Sequence, residues 1–447
     1  MKRDTSLNFE FVPYWTIPFR FFLAAPLFAV LTGVVLCWLG GSFLLGDSPT
    51  LWQSRWLREV IFTLHLTTIG AITIVMVGAL YQITSVVGGR MLPGGNVAAT
   101  LIFSGLTAGA VLFLVAMLMN IDWLYATAAS LIVSALVVLV VCGLWAISRA
   151  QRSSPTLMAM TLSLISLLVM VSIGGGLLLM HGYPEAVGFD RRWTDVHLIW
   201  ALAGWVGLLI MGVSFQVIPM FHVTPSFTPR FQQWLPLVTF VAIVVAALVS
   251  FMDVGVGVSF SAKGALLACF GVYGVQVWRL IDKRKRKIED ITVLFWKTAV
   301  VSLLLFIILQ LIDVFGWLVF AADKSWLISG VLLVFGVVMS VIGGMLQKII
   351  PFLSYLHMQR FCAGNFEAIK SLPHMRAILK IDHSRYFYRL HVCSLVCLIV
   401  MMVVPEITLL AGLSICAEFS LLFYMTARVV MMIRNSERNS LPTNAPR

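Results

Sequence analysis

Charge is what this chain has least of. Only 11% of its 447 residues are Asp, Glu, Lys or Arg, and acids are the scarcer sign, 19 against 31 basic residues. Soluble domains average about 25% charged. Here 60% of residues are hydrophobic and the mean hydropathy is +0.98, which excludes a water-soluble globular protein and leaves a polytopic membrane protein. The seven cysteines (Cys37, Cys142, Cys269, Cys362, Cys393, Cys397, Cys416) form no CxxC pair and fall mostly within apolar runs. They read as small packing residues of membrane helices, not as metal ligands. Also missing are a glycine-rich phosphate loop, a serine nucleophile constellation and a zinc motif. The net charge of +12 is not interleaved with aromatics in a soluble region, which argues against a nucleic-acid partner. No cleavable signal pattern precedes the first apolar run, which is long enough to span.

A span needs about 20 apolar residues. Twelve runs qualify, near 19–41, 59–86, 97–119, 122–147, 155–180, 194–220, 233–253, 256–280, 291–320, 325–352, 388–410 and 411–434. The expected fold is therefore an all-α polytopic bundle in contact with the lipid bilayer, one membrane domain with no room for a soluble one. Lys and Arg set its orientation. With Lys2, Arg3 and Arg20 in the cytoplasm, the same side holds Arg90, Arg149, Arg152, Arg230, the run RLIDKRKRK at 279–287, the segment 353–387 and the tail after Arg428. The opposite side keeps Arg55, Arg58, Arg191, Arg192 and Lys324, offset by Glu59, Asp190, Asp195 and Asp323. Both termini are then cytoplasmic.

An internal repeat organises the spans. HLTTIGAITIVMVGALYQ at 65–82, HLIWALAGWVGLLIMGVSFQVIP at 197–219 and VFGVVMSVIGGMLQKIIP at 334–351 share two glycines eight residues apart, then Gln or Lys four further on. The matching positions are Gly70, Gly78 and Gln82; Gly204, Gly212 and Gln216; Gly336, Gly344 and Lys348. Successive copies are 134 and 132 residues apart, which makes three units of four spans, approximately 1–150, 151–288 and 289–447. Glycines eight apart share a helix face and permit close helix packing. GGG at 174–176 reads the same way.

Twelve spans in three four-helix units resemble subunit I of the heme–copper oxidase superfamily. The stretches IPFRFFLAAPLFAV at 17–30, HLTTIGAITIVMVGALYQ at 65–82 and DVHLIWALAGWVGLLIMGVSFQVIPMF at 195–221 carry the likeness. More narrowly, the chain resembles the smaller relatives of that subunit, including NnrS-type heme- and copper-containing membrane proteins linked to the nitric oxide response. The resemblance implies a bacterial inner-membrane protein that binds heme b, copper or both near the outer face. It further implies work with respiratory-chain proteins, in nitric oxide or respiratory stress handling or in cofactor handling. By matching helix, His65 resembles a heme ligand and His197 a copper ligand. The family's oxidases also need histidines on helices seven and ten. Spans seven and ten here have none, so the resemblance does not extend to oxygen or nitric oxide reduction.

The eight histidines divide by level. His65 and His197 lie near the outer ends of spans two and six, where imidazole suits heme iron or copper. They differ by two residues in register from the repeat glycines. That is roughly 200° of helix rotation, so they are expected to face different neighbours. His181, after Met180, is a further outer ligand candidate. His222 and His357 follow the repeat cores, where turns at Pro219 and Pro351 would put them just inside the membrane. His374, His383 and His391 are assigned to the basic inner loop and the next helix start, beside lipid headgroups.

Three charged residues interrupt the spans: Lys263, Asp313 and Glu418. Intramembrane charges face the bundle interior or a wet cavity. They suggest either a shared polar cavity in the outer third or an ion pair of Lys263 with Asp313 or Glu418. A permease or metal transporter would use that level as its substrate site. A cofactor-free scaffold of a respiratory complex would tolerate loss of both His65 and His197.

Overall fold

A computed structural model describes residues 12–46, 51–188, 190–252, 254–285, 288–316, 322–362 and 366–440. Lys2, Arg3, Arg286 and Lys287 of the charge argument lie outside these. The described residues hold twelve helices long and apolar enough to cross a membrane and no strand. They are α1 (Thr16–Leu44), α2 (Arg58–Gly88), α3 (Gly95–Met119), α4 (Asp122–Ser148), α5 (Pro155–Gly182), α6 (Arg192–His222), α7 (Pro229–Phe251), α8 (Gly257–Asp282), α9 (Ile291–Val314), α10 (Asp323–Phe361), α11 (Ile381–Met401) and α12 (Pro405–Arg438). The protein is an all-α, multi-pass membrane protein. With an even number of spans, residues 12 and 440 share one side, the terminal end.

The helices differ from the expected spans at three prolines. α11 stops at Met401 instead of running to residue 410, because Pro405 lacks an N–H and disfavours helix in the residue before it. The same proline then opens α12, a position where its missing donor does no harm. Pro219 and Pro351 do the opposite of what was expected. No turn forms at either, and α6 and α10 continue through them to His222 and Phe361. Packed membrane helices tolerate an internal proline when neighbours satisfy the freed carbonyl. His222 and His357 are therefore buried in helices, not placed in turns.

Helices α2, α6 and α10 have 61%, 56% and 78% of their apolar windows buried, against 50% or less for every other span. They form the centre, and the other nine surround them. Outward side chains such as Trp38, Leu101, Val141, Trp234, Val272 and Ile308 remain exposed and apolar, as a lipid-facing surface requires.

The six repeat glycines explain how the central helices are held. A Cβ on Gly70 or Gly78 would meet Phe28 or Phe21 of α1; on Gly204 or Gly212, Ser166 or Ala159 of α5; on Gly336 or Gly344, Ser302 or Phe295 of α9. All six approaches are 2.6–2.8 Å, closer than a real Cβ permits. Each central helix thus packs on the helix preceding it, and in each case the two contacted partner residues are seven apart.

At the terminal end, α6, α9 and α10 are joined by one carboxylate. Asp290 accepts from Thr292 N (3.2 Å), Thr292 Oγ1 (2.7 Å) and Lys348 Nζ (2.7 Å), with His222 Nδ1 at 3.4 Å. Burial pushes the Asp290 carboxyl up, but His222, Lys348 and Thr292 together outweigh it and hold it well below the usual carboxylate range. A depressed folded value adds stability above the unfolded pKa, about 3.9, and that stability is lost as pH falls through the folded value. Asp290→Asn should therefore cost roughly 1–3 kcal/mol of stability at neutral pH for the donors left unmet, and lower the thermal midpoint accordingly. The gap to wild type should narrow as pH drops below about 4. Melts in detergent across that range, followed by circular dichroism, check it.

Candidate functional site

Each central helix widens once, in the half away from the termini. Leu66–Thr73, Ile199–Gly207 and Leu332–Met339 are π-helical. They start at residues 66, 199 and 332, each 133 after the last, an interval close to that of the glycines. Each contains the first glycine of its repeat. π turns inside α-helices often mark functional sites, since the inserted residue leaves carbonyls without their usual partners. Serines meet two of them here: Ser163 donates to Trp205 O (2.8 Å) and Ser340 to Gly336 O (2.7 Å).

His65 directly precedes the first π stretch and His197 lies two residues before the second. Their rings do not face different neighbours, as counting from the glycines implied. They are neighbours, with centroids 6.3 Å apart and planes inclined by 25°. A π stretch lies between each histidine and its repeat glycine, so a count at a constant angle per residue misplaces both rings. α10 adds no histidine; Val331, just before its π stretch, lines the same space.

Both rings are anchored alike. His65 Nδ1 donates to Ile61 O at 2.8 Å and His197 Nδ1 to Met170 O at 3.1 Å. A carbonyl can only accept, so Nδ1 carries the hydrogen in each, leaving the Nε2 lone pair free. This is how metal-binding histidines are usually oriented. The His197 ring also rests on Gly174, where a Cβ would come within 2.7 Å of Cε1. Gly174 of the GGG run thus packs against a side chain of the site.

The rings open onto a cavity of about 390 Å³, within the usual range for small-molecule sites. Its walls are mainly apolar and come from α1–α6 together with α10, α11 and α12. Three lining polar atoms, Thr63 Oγ1, Thr194 Oγ1 and Trp205 Nε1, are buried without a protein partner. Buried polar groups normally find partners, which sets these three apart from the norm among the described residues. At the far mouth, Arg55 pairs with Asp195 (2.8 Å) and lies over Trp56 and Trp326, 4.6 and 4.4 Å from the ring centroids. Lys324 donates to Trp52 O (2.8 Å). These contacts tie the loop before α2 to α6 and α10.

The remaining candidates do not join the pair. His181 lines the mouth, exposed, edge-on to Tyr125 at 5.2 Å. Lys263 is exposed and Asp313 half-buried, and among the described residues no ion pair joins Lys263 to Asp313 or to Glu418. None of the three lines the cavity. Glu418 lies midway along α12 and binds His391, which stands mid-helix in α11, not in the basic loop. Thr63, Trp205 and Trp326 have no part in the sequence reading, where Gly174 counts only as packing and Arg55 only as an outer-side charge.

The arrangement fits one metal centre better than two. Metal–imidazole bonds are about 2.0–2.1 Å long. Two imidazoles on opposite sides of one ion therefore place their ring centres about 6 Å apart, matching the separation found. Among the described residues no group of three or more His, Cys, Asp or Glu is placed to hold a metal ion. Two imidazoles in a large apolar cavity suit a macrocycle that supplies its own in-plane ligands, the donor set of heme. No protein-family model matches the chain, and no curated protein matches it.

Proposed function

We propose that this protein is a b-type cytochrome of the membrane, in which His65 and His197 would together hold one heme. The neighbouring, backbone-anchored imidazoles carry this reading. The chain has no CxxCH attachment motif, so the heme would be held without covalent bonds. Bound there, the group supplies a one-electron couple. The chain's part is to present two Nε2 lone pairs and to exclude water with apolar walls, with the Arg55–Asp195 pair at the mouth. If His65 and His197 together hold the heme, both imidazoles would be spent on holding it, and the chemistry it would supply there is electron transfer. The proposal includes the setting implied by the resemblance: a bacterial inner membrane, termini in the cytoplasm, and electron exchange at the outer face with respiratory-chain proteins under nitric oxide or respiratory stress. It revises the implied roles, since His197 joins His65 on one group instead of holding copper.

An absorption spectrum with hemochrome and metal analysis on detergent-purified protein tests this. Wild type should carry one low-spin heme b per chain, and His65→Ala or His197→Ala should each lower heme content at least about tenfold, as loss of a ligand does. Stoichiometric copper without heme would overturn it in favour of a two-coordinate copper site between the same rings. Neither cofactor, in protein grown with both, would sink the metal reading altogether.

A further inference from the structure

A second buried ionisable group lies one aromatic ring from the cavity and has no part in the ligand argument. His391 and Glu418 are 1% and 0% exposed. His391 Nδ1 and Glu418 Oε1 are 2.7 Å apart, and His391 Nε2 lies 2.7 Å from Ser340 Oγ. The Ser340 hydroxyl already donates to Gly336 O. Its oxygen must then accept, so Nε2 carries a hydrogen. A second hydrogen is shared between Nδ1 and Oε1. Drawn as imidazolium–carboxylate or as imidazole–carboxylic acid, the pair is neutral overall. One seat is left: Glu418 Oε2 is buried with no partner. Ser394 Oγ, one turn from His391 on the same helix, is likewise buried and unpartnered.

We infer that His391 and Glu418 form a proton-binding site, Oε2 being the seat, which fills when negative charge enters the cavity. Phe335 links the two: its ring stacks on His391 at 4.9 Å and also lines the cavity, as does Phe419. Few other charges compete at this level. From α9 the pair is faced by Phe295. Of the ionisable groups on the helices around it, Lys297 pairs with Asp282, Tyr388 bonds Thr298, and Lys348 pairs with Asp290. Asp313 ends α9, and His357 lies toward the terminal end of α10. The thiols Cys393 and Cys397 share α11, Cys416 bonds Val30 O, and Cys37 bonds Leu409 O. A proton added to the neutral pair makes it cationic, and a negative charge one ring away in a poorly screened interior favours it. The proton comes from bulk water, and no bond to carbon forms or breaks.

The coupling rests on the heme reading; proton binding does not. Infrared pH titration of the purified protein decides the latter without any cofactor. Wild type should show a protonated-carboxyl signal that grows as pH falls, absent from Glu418→Gln and shifted in His391→Gln. A signal identical in Glu418→Gln, or none at any pH that preserves the fold, would overturn the inference and leave a fixed strut between α10, α11 and α12. Where heme is present, its midpoint potential should fall with rising pH in wild type and flatten in Glu418→Gln, with heme content unchanged. An equal slope in both overturns the coupling. Absence of heme would instead strike the proposed function and leave the infrared result standing.

Discussion

Replacing Gly174 with valine is expected to strip the protein of heme almost as fully as His197→Ala, although residue 174 offers no ligand. The His197 ring lies where a Cβ at 174 would stand, 2.7 Å from Cε1 and 3.2 Å from Nδ1. An imidazole cannot yield a few tenths of an ångström by flexing; it has to rotate about χ1 or χ2. Rotation breaks the 3.1 Å bond from Nδ1 to Met170 O and carries the ring from its place beside His65. Loss of an orienting partner typically lowers metal affinity 10–100-fold, and here the ligand is displaced as well. Heme per chain after purification should fall at least about tenfold. Gly176→Val is the control, because a Cβ there meets nothing within 4 Å. Equal heme in both variants would show that His197 is no ligand, or that its ring sits elsewhere when the site is filled.

How far the sequence reveals this site depends on which interactions are local. The number of spans is legible because each must be apolar over its whole length. The threefold spacing is legible because a helix that lies against its predecessor at 2.6–2.8 Å can carry only glycine there. The pairing of His65 and His197 is not legible. Register was counted at a constant angle per residue, and the π turns between each histidine and its glycine break that count. His391 was misplaced for another reason. It follows Asp382, His383, Arg385 and Arg389, a composition that looks like a headgroup-facing loop, yet α11 starts at Ile381 and carries it to mid-helix. Its partner Glu418 then has Lys263 as its one counter-charge among the intramembrane residues the sequence offers. The prolines at 219, 351 and 405 read alike in sequence. Only the last interrupts a helix, and packing decides which does.

The seam between the first and last helices should be the bundle's most sensitive contact, and Gly412→Leu should damage it most. α1 and α12 meet through Gly33, Cys37 and Gly40 on one side and Gly412 and Cys416 on the other. A Cβ on Gly412 would lie 2.6 Å from both Cys37 N and Gly33 O, and one on Gly33 would lie 2.8 Å from Gly412 O. These are backbone atoms, so nothing can swing aside and the helices must part. The thiols act here as small side chains that also donate weakly, Cys37 to Leu409 O at 3.8 Å and Cys416 to Val30 O at 3.6 Å. Small residues at such crossings are what allow membrane helices to gain dispersion contacts, since lipid offers no hydrophobic drive between them. Overpacking costs about 1–3 kcal/mol where side chains can adjust; against backbone the loss should reach or exceed that range. The thermal midpoint in detergent should drop well below that of Gly264→Leu, whose position is open. α1 and α12 also wall the cavity through Thr32, Leu36, Ile415 and Phe419. Gly412→Leu should therefore lose heme and stability together. Gly174→Val should lose heme with a smaller fall in midpoint, since there only the His197 side chain has to move. If Gly412→Leu melts like Gly264→Leu, the close approach of α1 and α12 is wrong, and with it that wall of the cavity.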